Sequence, residues 1–118
     1  TWAIVDASGV GDPVLEQLQK GASNFEGFKF TGPSKQELMM GLVTAIHQTE
    51  ISFPDGTLRQ ELDSFEYEFT ATGVRYCAPE GLHDDCVCAL ALAVRGWRQR
   101  RGVGVMPIGV TQTSYWRM

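Results

Sequence analysis

The feature that most limits how this chain can fold is its most apolar segment, Cys86 to Val94, which directly follows His83-Asp84-Asp85. The pattern predicts one long helix from near Leu82 to about Arg100, with apolar residues on nearly every face. A helix that is apolar all round needs other elements to cover it on all sides. We therefore expect this helix inside the fold, with its acidic first turn close to a sheet.

The first thirty residues predict a strand–helix–strand unit. Trp2 to Val5 is a short continuous apolar run, which is typical of a strand buried on both faces. A helix is predicted from Asp12-Pro13, as cap and first helical residue, to about Lys20, before Gly21. Phe25 to Phe30 is the second predicted strand. Two strands joined through a helix indicate a parallel pair.

The middle of the chain predicts a second helix, a short helix and a hairpin. Ser34 and Glu37 match a capping box, Ser-x-x-Glu, at the start of the second helix. Thr72-Gly73 between two alternating runs indicates a hairpin turn. The predicted class is α/β, a truncated fold with a central mixed sheet flanked by helices, or α+β if the hairpin joins that sheet. The remaining predicted elements are an apolar helix face (Leu38, Leu42, Ala45, Ile46), an extended piece (Ile51–Phe53), a short helix (Leu58, Leu62) and hairpin strands (66–71 and 74–77).

Chain length, net charge and cysteine content limit the kinds of protein that this chain can be. The chain has 118 residues, which fits one domain, and its net charge of -4 supplies no overall basic field for nucleic acid. DNA binding would therefore need a local patch or bound metal. Three cysteines without regular spacing argue against a disulfide framework and for a reducing compartment. The sequence shows no signal peptide or membrane span, and it begins at Thr1 without Met, which leaves open a natural N-terminus upstream.

Asp6 is the first candidate functional residue. It ends a predicted buried strand just before a glycine turn, and the carboxyl ends of strands in open α/β sheets are where ligands bind. Gly9-x-Gly11 alone is a weak dinucleotide signal, because Val14 stands where the third glycine of that fingerprint belongs. The plain alternative is that the glycines only make the turn and Asp6 caps the backbone.

His83, Asp84 and Asp85 are the second candidate group. Acidic residues at a helix start also have a plain explanation, since they favour the positive end of the helix dipole. Converging carboxylates, however, repel one another unless a divalent cation neutralises them, and oxygen ligands select Mg²⁺ or Mn²⁺. His83 is open as a ligand, a general base or a packed surface histidine. A strand-end Asp with a helix-start Asp suits two-metal phosphodiester cleavage, in which cations ~4 Å apart act together.

Four blocks of the sequence, in order, resemble a known family. They are VDASGVGDPV (5–14), FKFT with Ser34-Lys35, Glu61-Leu62 with FEYE (65–68), and APEGLHDD (78–85) followed by ALALA (89–93). Together they resemble the nuclease domain of phage terminase large subunits. The resemblance implies an RNase H-like fold and a metal-dependent endonuclease that cuts double-stranded concatemeric DNA during genome packaging. It also implies an ATPase domain and a portal as partners, in the host cytoplasm.

The resemblance assigns roles residue by residue. By this resemblance Asp6 is a catalytic metal ligand, and Asp84 or Asp85 is the other matching acid. The helical periodicity does not distinguish Asp84 from Asp85. The family's domain begins with three antiparallel strands that carry another catalytic aspartate. We expect residues 1–101 to be a partial domain that lacks these strands and is weakly active or inactive alone. Residues 102–118 are expected to form a tail, with an edge strand as one reading.

The sequence also contains basic residues that could contact DNA, and it predicts a strand with an unpaired edge. Arg95, Arg98, Arg100 and Arg101 end the last helix, where they either balance the helix dipole or contact phosphate. Lys29 and Lys35 are further candidate DNA contacts. In the fold that the resemblance implies, the absent strands would pair with one edge of Trp2–Val5. We therefore expect a second copy of the chain, in a homo-oligomer, or the tail to cover that edge. Two alternative functions remain: a non-catalytic remnant that self-associates, and another RNase H-like nuclease such as a junction resolvase.

Overall fold

A computed structural model describes residues 1–9, 11–71, 73–101 and 116–117 of the chain. Helices alternate with short strands, which confirms the predicted α/β class. The described strands pair as three two-stranded ladders, β1–β2, β3–β6 and β4–β5. In chain order the elements are β1 (Ala3–Asp6), α1 (Gly11–Gly21), β2 (Phe25–Phe28), α2 (Gly32–His47), β3 (Ser52–Phe53), α3 (Thr57–Ser64), β4 (Glu66–Thr70), β5 (Gly73–Cys77), α4 (Asp85–Arg101) and β6 (Trp116–Arg117).

The β1–β2 ladder is parallel, as the strand–helix–strand pattern predicted. Its register runs from Ala3 opposite Phe25 to Asp6 opposite Phe28, and α1 connects the two strands. Gly27 lets α1 approach β2 closely, because a Cβ at this position would collide with the side chain of Leu15. The ladder ends at Asp6, so the carboxyl end of β1 and its neighbouring strand are held in register at the candidate site.

The core lies where α4 packs against α2, with α3 and β1 at its sides. The side of α4 that faces α2 is therefore buried, so the prediction that this helix is covered on all sides is only partly correct. Ala89 and Ala93 are exposed, whereas Gly96, further along the helix, packs against Ile4 of β1. The buried residues of the core are Phe28, Leu38, Met39, Leu42, Ala45, Val87, Ala91, Leu92 and Val94.

A glycine sets the distance between α4 and β1. A Cβ on Gly96 would lie 2.7 Å from Cδ1 of Ile4, closer than real side chains approach. Glycine in a helix interior costs about 1 kcal/mol relative to alanine. Close packing of the helix onto the strand offsets that cost, and it keeps β1 beside α4 along the groove described below.

The N-terminus of α4 is capped by a residue from another helix. Glu61 of α3 accepts hydrogen bonds through Oε2 from the backbone nitrogens of Cys86 (2.8 Å) and Val87 (3.2 Å). Two of the unpaired N–H groups at a helix start are thereby satisfied, and the carboxylate also faces the positive end of the dipole. No local sequence signal announces this cap, because its acceptor lies 25 residues upstream.

The predicted start of α4 near Leu82 is wrong, because the helix begins at Asp85. The preceding segment forms a turn instead, with the nitrogen of Leu82 donating to the carbonyl of Pro79 and Gly81 at φ 83°. The backbone carbonyl of Asp84 accepts the first helical hydrogen bond, from Cys88 at 2.9 Å. Asp84 therefore stands at the helix cap position, and its side chain is directed by other contacts.

A capping box is present at the start of α2, but the residues predicted for it are wrong. Thr31 is the cap, and its Oγ1 accepts from the nitrogen of Ser34 at 3.1 Å. Ser34 Oγ in turn accepts from the nitrogen of Thr31 at 2.7 Å, the role predicted for Glu37. The helix begins earlier because Pro33 is favourable in the first turn, where its missing N–H has no partner to lose.

The end of α2 positions an acidic residue for α4. Thr49 has φ 52°, and the nitrogens of Thr49 and Glu50 donate to the carbonyls of Ile46 and Ala45. These two bonds form a Schellman motif, in which a left-handed residue closes the helix. The turn leaves the side chain of Glu50 only 19% exposed, where its Oε2 accepts from Nη2 of Arg98 at 3.0 Å.

The predicted hairpin is confirmed. Strands β4 and β5 are antiparallel, with Glu66 opposite Cys77, and Tyr67 and Phe69 on β4 are exposed. The three cysteines are free. None of the helices among the described residues combines the length and the apolar composition that a membrane span needs. The predicted tail strand (102–111) lies outside the described residues, while Trp116–Arg117 pairs antiparallel with β3.

We expect Glu61→Ala to lower the free energy of unfolding by about 1–3 kcal/mol, the usual loss when hydrogen bonds to a charged group are removed. Glu61→Gln keeps an acceptor but removes the charge, so its loss should be smaller. Urea unfolding followed by circular dichroism measures both. The matched control is Glu16→Ala, at an exposed position of α1. Equal stability of the Glu61→Ala and Glu16→Ala variants would contradict the capping role.

Candidate functional site

Asp6 is held at the carboxyl end of β1 by a short hydrogen-bonded turn. Its Oδ1 accepts from the nitrogen of Ser8 at 2.9 Å, and Ser8 Oγ accepts from the nitrogen of Phe30 at 2.8 Å. Gly9 follows with φ 63°, a backbone conformation that favours glycine. The turn-capping interpretation of Asp6 is thus correct for one carboxylate oxygen, and the residue as a whole is exposed towards the groove beside β1.

Asp84 and Asp85 are placed differently, although they are adjacent in sequence. Asp84 Oδ2 accepts from Nζ of Lys35 at 3.1 Å, and both side chains are 27% exposed. The side chain of Asp85 is 90% exposed and lies 3.9 Å from Nδ1 of His83, which is 82% exposed. Asp84 is therefore the acid that the fold partly buries next to a cation, while His83 and Asp85 face solvent.

One groove brings the candidate acids together. It has a volume of about 1270 Å³ and lies between β1 and α4. Asp6, Lys35, Asp84 and Asp85 line one end of it, and mostly apolar residues, together with Thr1 and Arg100, line the rest. The strand-end aspartate and the helix-start aspartates therefore line the same groove, and their joint binding of one cation stays a prediction. His83 is not among the residues that line the groove.

The pKa of the Cys88 thiol reflects the charges at the end of the groove that carries the acids. Burial raises the pKa of its thiol to about 11, and the negative charges of Asp84, Asp85 and Asp6 act in the same direction. Only Lys35 acts in the opposite direction. The thiol therefore stays protonated at neutral pH and is not a reactive nucleophile. All four charged groups are close enough to influence one point, which defines the acidic end of the groove.

The acidic end of the groove offers the type of donor atom that a hard divalent cation prefers, but it offers few of them. Carboxylate oxygens are the ligands that Mg²⁺ and Mn²⁺ prefer. The ammonium group of Lys35 already acts as a cation against Asp84, which shows that the position accepts positive charge. Within the described ranges, however, no three His, Cys, Asp or Glu side chains converge as a metal-binding group. A cation site at Asp6 and Asp84 therefore stays a prediction.

The other basic candidates are paired with carboxylates. Lys29 lies 3.0 Å from Asp12 on the surface, and Arg95 lies 3.3 Å from Glu26 while its guanidinium stacks over the ring of Phe28. Arg98 and Arg101 both face Glu50, and Arg100 faces Glu26. The helix end is therefore a mixed network of four arginines and two glutamates. A DNA-contacting role for Lys29, Lys35, Arg95 and Arg98 stays a prediction.

Two side-chain contacts at the site, made by Lys35 and by Glu61, have no signal in the local sequence. Lys35 was a routine candidate for DNA binding, and its pairing with Asp84 spans 49 residues of sequence. Glu61 fell inside a family-like block without an assigned role, and it shapes the site by fixing the first turn of α4, next to Asp84. Neither contact has a periodic signature, since each joins helices that meet only in the folded chain.

Comparison with known proteins supports the resemblance at a coarse level. No model of a known protein family matches the chain, and no solved structure does. Two relatives match: the terminase large subunits of Thermus phage G20c and Thermus virus P23-45, each 31% identical over 104 residues, or 86% of this chain. The match covers 21% of each relative, so the chain spans about a fifth of their length. Over most of its own length, the chain is therefore similar to one segment of phage terminase large subunits.

Proposed function

We propose that this chain is part of the RNase H-like nuclease domain of a phage or prophage terminase large subunit. Its reaction would be metal-dependent hydrolysis of phosphodiester bonds in double-stranded DNA during genome packaging. Two findings support this: the similarity to terminase large subunits, and the placement of Asp6 and Asp84 at one end of one groove. The observation that carries most weight is the second, because two acids from distant motifs are brought together by the fold.

Asp6 and Asp84 would hold Mg²⁺ or Mn²⁺ in this proposal. When bound, such a cation supplies charge that activates water and stabilises the phosphate during cleavage. Asp6 is presented by the end of β1 and fixed through Ser8. Asp84 is presented by the capped start of α4 and is paired with Lys35. Asp85 and His83, which are exposed to solvent, are outside the pair of ligands that we assign.

The same geometry predicts weak activity for this chain by itself. Two-metal cleavage needs carboxylates from several elements, and the described residues provide no group of three possible ligands. The second candidate function, a non-catalytic remnant, is favoured by this single observation. Another RNase H-like nuclease, such as a junction resolvase, gains no support from the two relatives, which are both terminase large subunits.

The setting of the proposed activity follows from the proposed family. A terminase large subunit would work in the bacterial host cytoplasm, on double-stranded phage DNA, with an ATPase domain and a portal. The chain's own charge of -4 agrees with DNA contact that depends on bound cations more than on a basic surface. Each of these partners belongs to the proposal and would be tested separately from the metal site.

Metal binding is the direct test. We expect Mn²⁺ to bind weakly, and Asp6→Asn or Asp84→Asn to weaken it by at least about tenfold, because each removes one charged ligand. Isothermal titration calorimetry of Mn²⁺ into the 118-residue chain measures this. Asp85→Asn is the matched control, since Asp85 is 90% exposed. Unchanged affinity in the Asp6→Asn variant would contradict the proposed site.

Lys35 should compete with the cation for Asp84. Removing its charge leaves Asp84 without a counter-ion and removes repulsion of the divalent ion, so Lys35→Met should tighten Mn²⁺ binding by about tenfold or more. Lys29→Met is the matched control, because it removes a lysine–aspartate pair of similar length, 3.0 Å, at an exposed surface. Weaker binding in the Lys35→Met variant would show that Lys35 positions Asp84 and does not compete.

Nicking of supercoiled plasmid DNA tests the catalytic part of the proposal. We expect slow, Mn²⁺-dependent nicking or none, at rates far below an intact two-metal enzyme. Any nicking by the chain should disappear in Asp6→Asn and persist in Asp85→Asn. Fast nicking that Asp6→Asn abolishes would show that the two carboxylates suffice, or that another copy of the chain supplies the third.

A further inference from the structure

We propose that Lys35 contacts a DNA phosphate, and that it is released for this contact when a divalent cation takes its place at Asp84. The inference rests on the cation site proposed above and adds a role for the lysine beside it. Lys35 would alternate between two partners, a carboxylate of its own chain and a phosphate of the substrate. Three observations support this: the position of Lys35 in the groove, its single ion pair, and the different pairing of the other basic candidates.

The first observation is the place from which Lys35 reaches the groove. Lys35 lies in the first turn of α2, whose backbone is fixed by the capping box of Thr31 and Ser34. Its backbone nitrogen donates to the carbonyl of Thr31 at 2.9 Å, and that turn, Gly-Pro-Ser-Lys, contains no acidic residue. The side chain lines the acidic end of the groove together with Asp6 and Asp84. A phosphate held at that end would therefore lie beside the ammonium group.

The second observation is that Lys35 depends on one carboxylate. Its Nζ lies 3.1 Å from Oδ2 of Asp84, and each side chain is 27% exposed. Among the described residues, Asp84 is the one side chain that accepts a hydrogen bond from this ammonium group. A cation at Asp84 would take that partner away, and a partly buried charge without a partner is costly. A DNA phosphate, which is anionic and accepts hydrogen bonds, would restore the pairing.

The third observation separates Lys35 from the other basic candidates. Lys29 is paired with Asp12 on the surface, and the arginines at the end of α4 are paired with Glu26 and Glu50. These three carboxylates are not among the residues that line the groove. A cation at the acidic end would therefore leave their ion pairs intact. Lys35 is the basic candidate whose pairing a bound cation would change.

The consequence is a coupling between cation binding and DNA binding. Without DNA, the charge of Lys35 opposes a cation at Asp84. With a phosphate present, the displaced ammonium group has a new partner, so the cation binds more tightly. Linkage then requires that the cation strengthens DNA binding by the same factor. A bound cation also attracts phosphate directly, so the contribution of Lys35 is measured against a variant that lacks its charge.

Fluorescence anisotropy of a short labelled DNA duplex tests the inference on the full chain, in saturating Mn²⁺ and in EDTA at equal ionic strength. We expect Lys35→Met to weaken DNA binding at least about fivefold in Mn²⁺ and to have little effect in EDTA. In Mn²⁺ the slope of log affinity against log salt should become shallower by about 0.9, the value for one lost phosphate contact. A purely structural role of Lys35 would not change the salt dependence in one condition alone.

Two variants serve as controls. Lys29→Met removes a lysine–aspartate pair of similar length, 3.0 Å, and should have the same effect in Mn²⁺ and in EDTA. Lys35→Arg keeps the positive charge and should retain the stronger binding in Mn²⁺. Circular dichroism checks that each variant keeps the helix content of the wild type.

A third arm of the experiment needs no metal. Asp84→Asn removes the charge that holds Lys35, so it should strengthen DNA binding in EDTA. Part of that gain comes from weaker repulsion of DNA, and the double variant with Lys35→Met measures this part. We expect the gain to be at least about threefold larger with Lys35 present than in the Lys35→Met background.

Equal effects of Lys35→Met in Mn²⁺ and in EDTA would overturn the inference. Equal gains from Asp84→Asn in both backgrounds, or a wild-type chain that binds no DNA in Mn²⁺, would overturn it as well. Calorimetry with Mn²⁺ separates this failure from failure of the proposed function. If Asp6→Asn weakens Mn²⁺ binding, the cation site stands and only the role of Lys35 is lost. If Mn²⁺ binding does not depend on Asp6, both are lost.

Discussion

Burial of one side of α4 is the interaction on which the rest of the structure depends. Val87 and Ala91 are almost fully buried against α2, and Gly96 brings the helix onto Ile4 of β1. These contacts join the helical half of the chain to the β1–β2 ladder. The two candidate acids lie on different sides of that junction, Asp6 on the ladder and Asp84 at the start of α4. Their shared groove therefore exists only as long as the helix is packed.

Charges at the acidic end are arranged so that partial burial is tolerated. A carboxylate that loses water is costly unless it is paired, and Lys35 provides that pairing for Asp84 at 3.1 Å. Glu61 is likewise satisfied by two backbone N–H groups of α4. The remaining acids, Asp6 and Asp85, are exposed, so their charges stay hydrated.

The sequence predicts the local elements well and the long-range contacts poorly. The strand at Asp6, the parallel pair and the hairpin of β4 and β5 follow from apolar runs and turn residues, which act over a few positions. The predicted starts of α2 and α4 differ from the observed ones, because several residues there could serve as caps. The distinction between Asp84 and Asp85 could not be made from periodicity at all. It depends on Lys35, which is distant in sequence and reaches only one of the two side chains.

The two candidate acids are held in different ways, and this difference bears on the proposed metal site. Asp6 uses Oδ1 in the turn that ends β1, where the nitrogen of Ser8 donates to it at 2.9 Å. Asp84 uses Oδ2 to pair with Nζ of Lys35 at 3.1 Å. A backbone N–H adds no net charge at Asp6, whereas the ammonium group of Lys35 repels any cation that approaches Asp84. The charge of Lys35, more than the turn at Asp6, would therefore limit how tightly a divalent cation binds between the two acids.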